Sequence, residues 1–185
     1  MIDSRAGTIT VNIGQRDHVI KQSPSVLNSD RKGGTTGAAV WQVTPLIADW
    51  LSSKDNALFK HGVLSERSTV LELGSGVSGI LPLTLGPRVS RFMATDQQYI
   101  LKLLKENIDT NRDSQTRRPS GRGPSQSSHQ ASHLVDVLAL DWELDDVQSF
   151  LTVNGAADGV DALMMCDCIY NYALIQPLVQ TCTDV

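Results

Sequence analysis

Three clusters of residues in this chain have the chemistry to hold a nucleoside-like cofactor, and a fourth has the chemistry to work beside one. Gly74, Gly76 and Gly79 stand in G-x-G-x-x-G spacing directly after the apolar run Thr69-Val70-Leu71-Glu72-Leu73. A strand that ends in such a turn bends sharply, admits a ligand against its backbone and lets the next helix pack close. A second apolar run ends at Met93-Ala94-Thr95-Asp96, and Asp96 lies 20 residues beyond Gly76. An acid there is placed to accept hydrogen bonds from ribose hydroxyls. The third cluster is Asp141-Trp142, an acid placed to meet an adenine amino group and an indole placed to flank the ring. The fourth is Asp167-Cys168-Ile169-Tyr170, whose carboxylate and phenol can orient an amine and exclude water around it.

Charge separates the two cofactor classes that use this geometry. A dinucleotide lays an anionic pyrophosphate over the turn and wants helix N-terminal amides with no carboxylate nearby. S-adenosylmethionine has no phosphate and carries a sulfonium and an ammonium, which Glu72 at the strand end would attract. Glu72 therefore favours the methyl donor over NAD. An NAD-dependent oxidoreductase stays open on the glycine spacing and Asp96, while Glu72, Asp141-Trp142 and Asp167-x-x-Tyr170 argue against it. Each acid also has a plainer use: Glu72 can pair with a basic residue, Asp141 can cap a helix over 143–151, and Asp167 can cap the helix that follows it, with Tyr170 filling space.

Val70–Ile80, Ala94-Thr95-Asp96, Leu140-Asp141-Trp142 and Asp167-Cys168-Ile169-Tyr170-Asn171, in that order, resemble the class I methyltransferases of the seven-strand type. Within them they resemble the protein-lysine branch marked by Asp-x-x-Tyr, and most of all the fungal ribosomal lysine N-methyltransferase 5 family. The resemblance implies a Rossmann-like α/β sheet, S-adenosyl-L-methionine as cofactor, and N-methylation of a lysine in a protein substrate, a ribosomal protein by the family's name. It places Trp41, Glu72, Gly74, Ser75, Gly76, Asp96, Asp141, Trp142 and Cys166 around the cofactor, and Asp167 and Tyr170 beside the substrate amine. Trp41 is by this likeness the tryptophan whose indole lies near the cofactor; otherwise it is a core tryptophan. Tyr172 departs from the family, where an acid often follows the asparagine.

The elements that must position these residues are legible in outline. At 185 residues and 41% hydrophobic content the chain has the length of one domain and the means for a sizeable core, built on aliphatic residues because only 5% is aromatic. Thr8–Ile13 and His18–Lys21, separated by residues 14–17, suggest an N-terminal β-hairpin, so residues 1–32 read as hairpin and loop and 33–185 as the methyltransferase part. A helical pattern entered at Ala38–Trp41 puts Leu46, Ile47, Trp50 and Leu51 on one face toward the sheet. Strand 69–73, helix 78–85, strand 90–95 and helix 97–110 follow, the last turning Ile100, Leu101, Leu103, Leu104 and Ile108 inward. Strands are expected again over 134–140 and 161–166, then a helix capped by Asn171 whose Pro177 should kink it or shift its start.

Residues 112–132 change texture, with Arg112, Arg117, Arg118 and Arg122 among serines, glycines and prolines. They read as a disordered insertion that touches nucleic acid weakly if at all. A net charge of −4 excludes a generally basic nucleic-acid-binding surface. Three cysteines make no disulfide framework, and His18, His61, His129 and His133 offer no matched ligand spacing, so no metal is expected. With no leader and no apolar stretch near 18 residues, a cytoplasmic protein is expected, with the nucleus also open to it and no membrane partner.

A class I methyltransferase sheet runs in the order 3-2-1-4-5-7-6, and this chain supplies strands 3, 2, 1 and 4. The expectation is an incomplete, C-terminally truncated sheet lacking 5, 7 and 6. Such a cut leaves activity in doubt and keeps a second reading alive, a non-catalytic fragment that binds cofactor weakly or serves protein contacts.

Overall fold

The computed structural model describes residues 1–30, 35–116 and 134–185. Strands β1 (Thr8–Ile13) and β2 (Arg16–Lys21) form an antiparallel hairpin with Ile13 opposite Arg16. Its turn is two residues long, not four: Gly14 and Gln15 take φ of +57° and +65°, the left-handed pair that matches strand twist, so Arg16 and Asp17 join the ladder. A short helix α1 (Pro24–Leu27) and a 3-10 turn (Thr36–Ala38) lead to α2 (Val43–Ser52) and α3 (Ala57–Lys60).

The rest alternates strand and helix. It comprises β3 (Thr69–Leu73), α4 (Ile80–Leu85), β4 (Arg91–Asp96), α5 (Gln98–Thr116), β5 (Leu134–Ala139), α6 (Val147–Val153), β6 (Ala162–Met165) and α7 (Tyr172–Asp184). The four later strands form one parallel sheet in the order β5-β4-β3-β6. This is the 3-2-1-4 arrangement of a Rossmann-like methyltransferase, with the hairpin as a separate two-stranded sheet.

Successive residues of β3 supply opposite faces of the sheet. Val70, with Phe92 of β4, joins a core built with Ala48, Leu51, Ile80, Leu81, Ile100 and Leu104. The hairpin's Val11, Ile13 and Ile20 belong to that same core. Leu71 and Leu73, with Met93, face the other core with Val147, Leu151 and Leu178. Each such aliphatic side chain, fully buried, contributes about 1.5–3 kcal/mol. At the far end of the sheet Arg91 is bonded to Asp136 at 2.7 Å and to the Asn154 carbonyl at 2.6 Å, tying β4 to β5 and to the end of α6.

Four expectations about the helices also need correction. Helix α2 begins at Val43, so Trp41 precedes it, and its buried side is Thr44, Ala48 and Leu51 with Ile47 half-buried; Leu46 and Trp50 face solvent at 69% and 49% exposure. Spacings of three and four describe either of two adjacent helical stripes, and here the stripe with small Ala48 is the buried one, in a helix whose close neighbours are α4 and the hairpin strand β1. Helix α5 runs to Thr116, past the expected onset of disorder at 112, because the first residue that breaks a helix is Pro119; the remainder of that expectation lies outside the described residues. Helix α6 starts at Val147, capped by Asp146, whose carboxylate accepts from the Ser149 amide at 2.7 Å. Helix α7 starts directly after its Asn171 cap and continues through Pro177, so the proline does not shift its start.

Candidate active site

The carboxyl ends of the parallel strands open into one cleft, as the switch of direction between β3 and its neighbours requires. Its floor is the glycine loop. The Ser75 amide donates to the Thr95 carbonyl at 2.9 Å, and the Thr95 hydroxyl donates to the Glu72 carbonyl at 2.6 Å, stitching the loop to β4. Gly74, Gly76 and Gly79 all take positive φ, near +70°, +59° and +62°. Two of them also have no room for a side chain. A Cβ on Gly74 would sit 2.9 Å from the Cys168 sulfur, and one on Gly79 would sit 2.5 Å from Cγ1 of Ile108 on α5.

Asp96 closes the loop from above. Its Oδ2 accepts from the Gly76 amide and its Oδ1 from the Gln97 amide, both at 2.8 Å. Each oxygen keeps a lone pair for a hydroxyl donor. Burial pushes its carboxyl up to about 6, against the pull of those two amides. Glu72 lies deeper, 2% exposed, where its Oε2 accepts from the Ser75 hydroxyl at 2.7 Å. Burial drives Glu72 up to about 8, the Ser75 bond opposing and the Asp96 charge adding. Burial therefore favours the protonated carboxyl at neutral pH.

Asp141 sits beside Asp96 at the end of β5. Gln97 donates its side-chain amide to Oδ2 at 3.2 Å and the Glu143 amide donates to Oδ1 at 3.0 Å. With Asp146 as the α6 cap, Asp141 is released from capping and faces the cleft with Trp142. Asp167 follows β6 with φ of +56°, a conformation that costs a non-glycine residue about 1–2 kcal/mol. Its Oδ2 accepts from the Val43 amide, the first of helix α2, at 3.3 Å. Asn171, not Asp167, caps α7, so the strained acid is turned toward the cleft and α2. Trp41 donates its indole N–H to the Thr36 carbonyl at 3.0 Å and stacks on Tyr170. Burial raises the Tyr170 phenol, a hydrogen bond with Thr36 only partly opposing, so it stays protonated at neutral pH.

The cleft encloses about 780 Å³, counting the space open to solvent. Trp41, Gly74, Ser75, Gly76, Asp96, Asp141, Trp142, Cys166, Asp167 and Tyr170 all line it. Glu72 does not; it acts on the cleft through Ser75. The sequence reading missed Gly37, Gln97 and Cys168, which also line it. Gly37 had a signal, the glycine cluster before Trp41, and Gln97 had one in directly following the acid. Burial pushes the Cys166 thiol up to about 11 and the Cys168 thiol up to about 12, with Glu72 adding to both, so neither is a thiolate nucleophile.

With this geometry in view, the likeness to known proteins is decisive. A model of the lysine methyltransferase family matches residues 21–185. The chain belongs to this family. It is 32% identical to ribosomal lysine N-methyltransferase 5 of Vanderwaltozyma polyspora, over 98% of this chain and 70% of that one. It is 35% identical to the protein of the same name from Zygosaccharomyces rouxii, over 88% of this chain and 58% of that one. A third relative, from Schizosaccharomyces pombe, is called diaminohydroxyphosphoribosylamino-pyrimidine deaminase; the likeness is 31% over 97% of this chain but 37% of that protein. The chain thus spans well under two thirds of two of these three relatives. A zinc deaminase needs an H-x-E and a C-x-x-C, and the sequence contains neither. Among the described residues no group of acids, histidines and cysteines is placed to hold a metal ion.

Proposed function

We propose that this chain binds S-adenosylmethionine and transfers its methyl group to the side-chain amine of a lysine in a protein substrate, a ribosomal protein being the class that the relatives' names suggest. The observation that carries the proposal is the convergence of Asp96, Asp141, Trp142, Asp167 and Tyr170 on a single cleft.

The residues fit that cofactor. Asp96 has acceptor capacity left for two ribose hydroxyls, and Asp141 for an exocyclic amino group, with Trp142 against the ring. The glycine loop leaves backbone surface where a Cβ on Gly74 would intrude. A pyrophosphate fits poorly: the Gly76 amide is already committed to the Asp96 carboxylate, and Asp141 and Glu72 add negative potential or a buried acid nearby. When bound, the cofactor supplies an electrophilic methyl on a sulfonium that leaves as a neutral thioether. The chain's own task is to position and dehydrate. Asp167 and Tyr170 flank the place of the incoming amine, which must arrive without its extra proton because an ammonium has no lone pair. Tyr170, protonated, offers a hydrogen bond and a wall but no base. Asp167, held by Val43, is the acceptor that aligns an amine N–H.

The test is methyl transfer from labelled S-adenosylmethionine to isolated ribosomal proteins. Label recovered in lysine, retained by the wild-type chain and lost in Asp167→Ala while cofactor binding persists, is the expected result. A wild-type chain that binds cofactor yet labels no lysine would overturn the activity proposed.

A further inference from the structure

We infer that Asn107 is a positioning residue of the cofactor loop, and that through it the N-terminal hairpin becomes a working part of the cofactor site. The inference rests on the cofactor reading above.

Helix α5 turns Leu104, Asn107, Ile108 and Asn111 inward. Asn107 and Asn111, four apart, lie one above the other, about 6 Å along the helix axis. β2 pairs with β1 along one edge and presents Val19 and Lys21 on the other, two residues or about 6.8 Å apart. The two spacings match closely enough for each asparagine amide to act as a strand residue. The Val19 amide donates to Asn111 Oδ1 at 3.0 Å and Asn111 Nδ2 donates back to the Val19 carbonyl at 2.9 Å. The Lys21 amide donates to Asn107 Oδ1 and Asn107 Nδ2 donates back to the Lys21 carbonyl, both at 2.9 Å. Lys21 and Glu106 add an ion pair at the surface beside them.

Asn107 does one thing more. Its second Nδ2 hydrogen is donated to the Val77 carbonyl at 2.6 Å, and both residues are 1% exposed. Val77 lies between Gly76 and Gly79 in the cofactor loop, and its own amide donates to the Gly37 carbonyl at 2.8 Å. The peptide planes on either side of Val77 are therefore set by Gly37 and Asn107, and the next plane back, between Ser75 and Gly76, carries the Gly76 amide to Asp96 at 2.8 Å. Without the Asn107 donor the buried Val77 carbonyl loses its partner, and the loop must turn to find another. Turning it moves the Gly76 amide, and with it the carboxylate that takes the ribose. Neither composition nor the G-x-G-x-x-G spacing signals this; the signal in the sequence is a pair of asparagines at buried helical positions.

The experiment is calorimetric titration of S-adenosylhomocysteine into the wild-type chain, Asn107→Ala and Asn111→Ala, at a temperature where each is folded. Each variant loses an equivalent pair of hairpin bonds, Asn107→Ala that to Lys21 and Asn111→Ala that to Val19, so a merely structural role moves both alike. The expected result is wild-type binding, about tenfold weaker binding in Asn107→Ala, the factor one lost buried hydrogen bond carries, and Asn111→Ala within about twofold of wild type. Equal affinity in Asn107→Ala and wild type, or an equal loss in both variants, would overturn the inference. A wild-type chain that does not bind would overturn the cofactor reading and this one with it. Should Asn107→Ala fail to fold, amide exchange in the wild-type chain decides. Adding S-adenosylhomocysteine should slow exchange at Lys21 more than at Val19, and no difference between them overturns the coupling.

Discussion

Trp41 and Tyr170 stack in the wall of the cleft with ring centroids 6.3 Å apart and planes 20° from parallel. They arrive from opposite ends of the chain, one before α2 and one after β6, and both are tied to Thr36, Trp41 through its carbonyl at 3.0 Å. The stack and the Asp167–Val43 bond are two independent joints across the same seam.

Removing the stack should show in both stability and binding. Tyr170→Ala is expected to lose about 0.5–1.5 kcal/mol for the ring pair, read as a shift of the urea midpoint, and to blunt the change in tryptophan fluorescence on adding S-adenosylhomocysteine. Tyr170→Phe keeps the rings and loses only the bond to Thr36, so it should lose less stability than Tyr170→Ala and keep the fluorescence response. Equal effects from the two variants would show that the hydroxyl, not the stack, is what matters.

Stability should fall as pH rises through neutrality. Glu72 titrates near 4.5 when unfolded and near 8 when buried, so between those values the folded chain keeps a proton that the unfolded chain has released. The folded state is favoured at the acid side and loses that advantage as pH climbs toward 8. Asp96, raised from 3.8 to about 6, acts in the same direction over its own window. Glu72→Gln keeps a partner for Ser75 and should flatten the curve of unfolding free energy between pH 5 and 8. Parallel curves for variant and wild type would rule out a buried, proton-holding Glu72.

Much of the framework was legible because its signals are local. Val70–Leu73 is apolar at every place but Glu72 and is followed by glycines that the turn needs, and the order β5-β4-β3-β6 is the 3-2-1-4 order that the resemblance implied. The acids at strand ends were legible for the same reason. What was not legible depends on partners distant in the chain. Trp50 and Leu46 fit an inward stripe by spacing, yet the neighbouring stripe through Ala48 is the one buried, with α4 and β1 beside it. Glu72 looked like a charge facing a cation, but Ser75 stands between it and the cleft and burial pushes its carboxyl up to about 8. Asp141 could have capped a helix until Asp146 was seen to do so.

The glycines of the loop should fail in different ways. Gly79→Ala places a methyl 2.5 Å from Ile108 Cγ1 in a left-handed conformation, and is expected to destabilise the fold by about 2 kcal/mol or more. Gly74→Ala points its methyl at Cys168 and Trp142 in the cleft, and should cost cofactor affinity at least as clearly as stability. Denaturant unfolding and calorimetry on the two variants separate these outcomes.

The cleft thiols should be slow. With burial holding Cys166 near 11 and Cys168 near 12, neutral-pH alkylation of the folded chain is expected to label them far more slowly than in urea, and S-adenosylhomocysteine should slow Cys166 further. Rapid labelling of Cys168 in the folded protein would contradict its placement against the Leu73 carbonyl at 3.3 Å.

The central claim, that this cleft is an adenosyl site, is tested most directly by calorimetric titration of S-adenosylhomocysteine and of NAD into the wild-type chain and Asp96→Ala. Saturable binding of S-adenosylhomocysteine at one site, weakened at least tenfold in Asp96→Ala and clearly tighter than NAD, is what the Asp96, Asp141 and glycine-loop geometry predicts. Affinity unchanged by the loss of Asp96, or a preference for NAD, would contradict it.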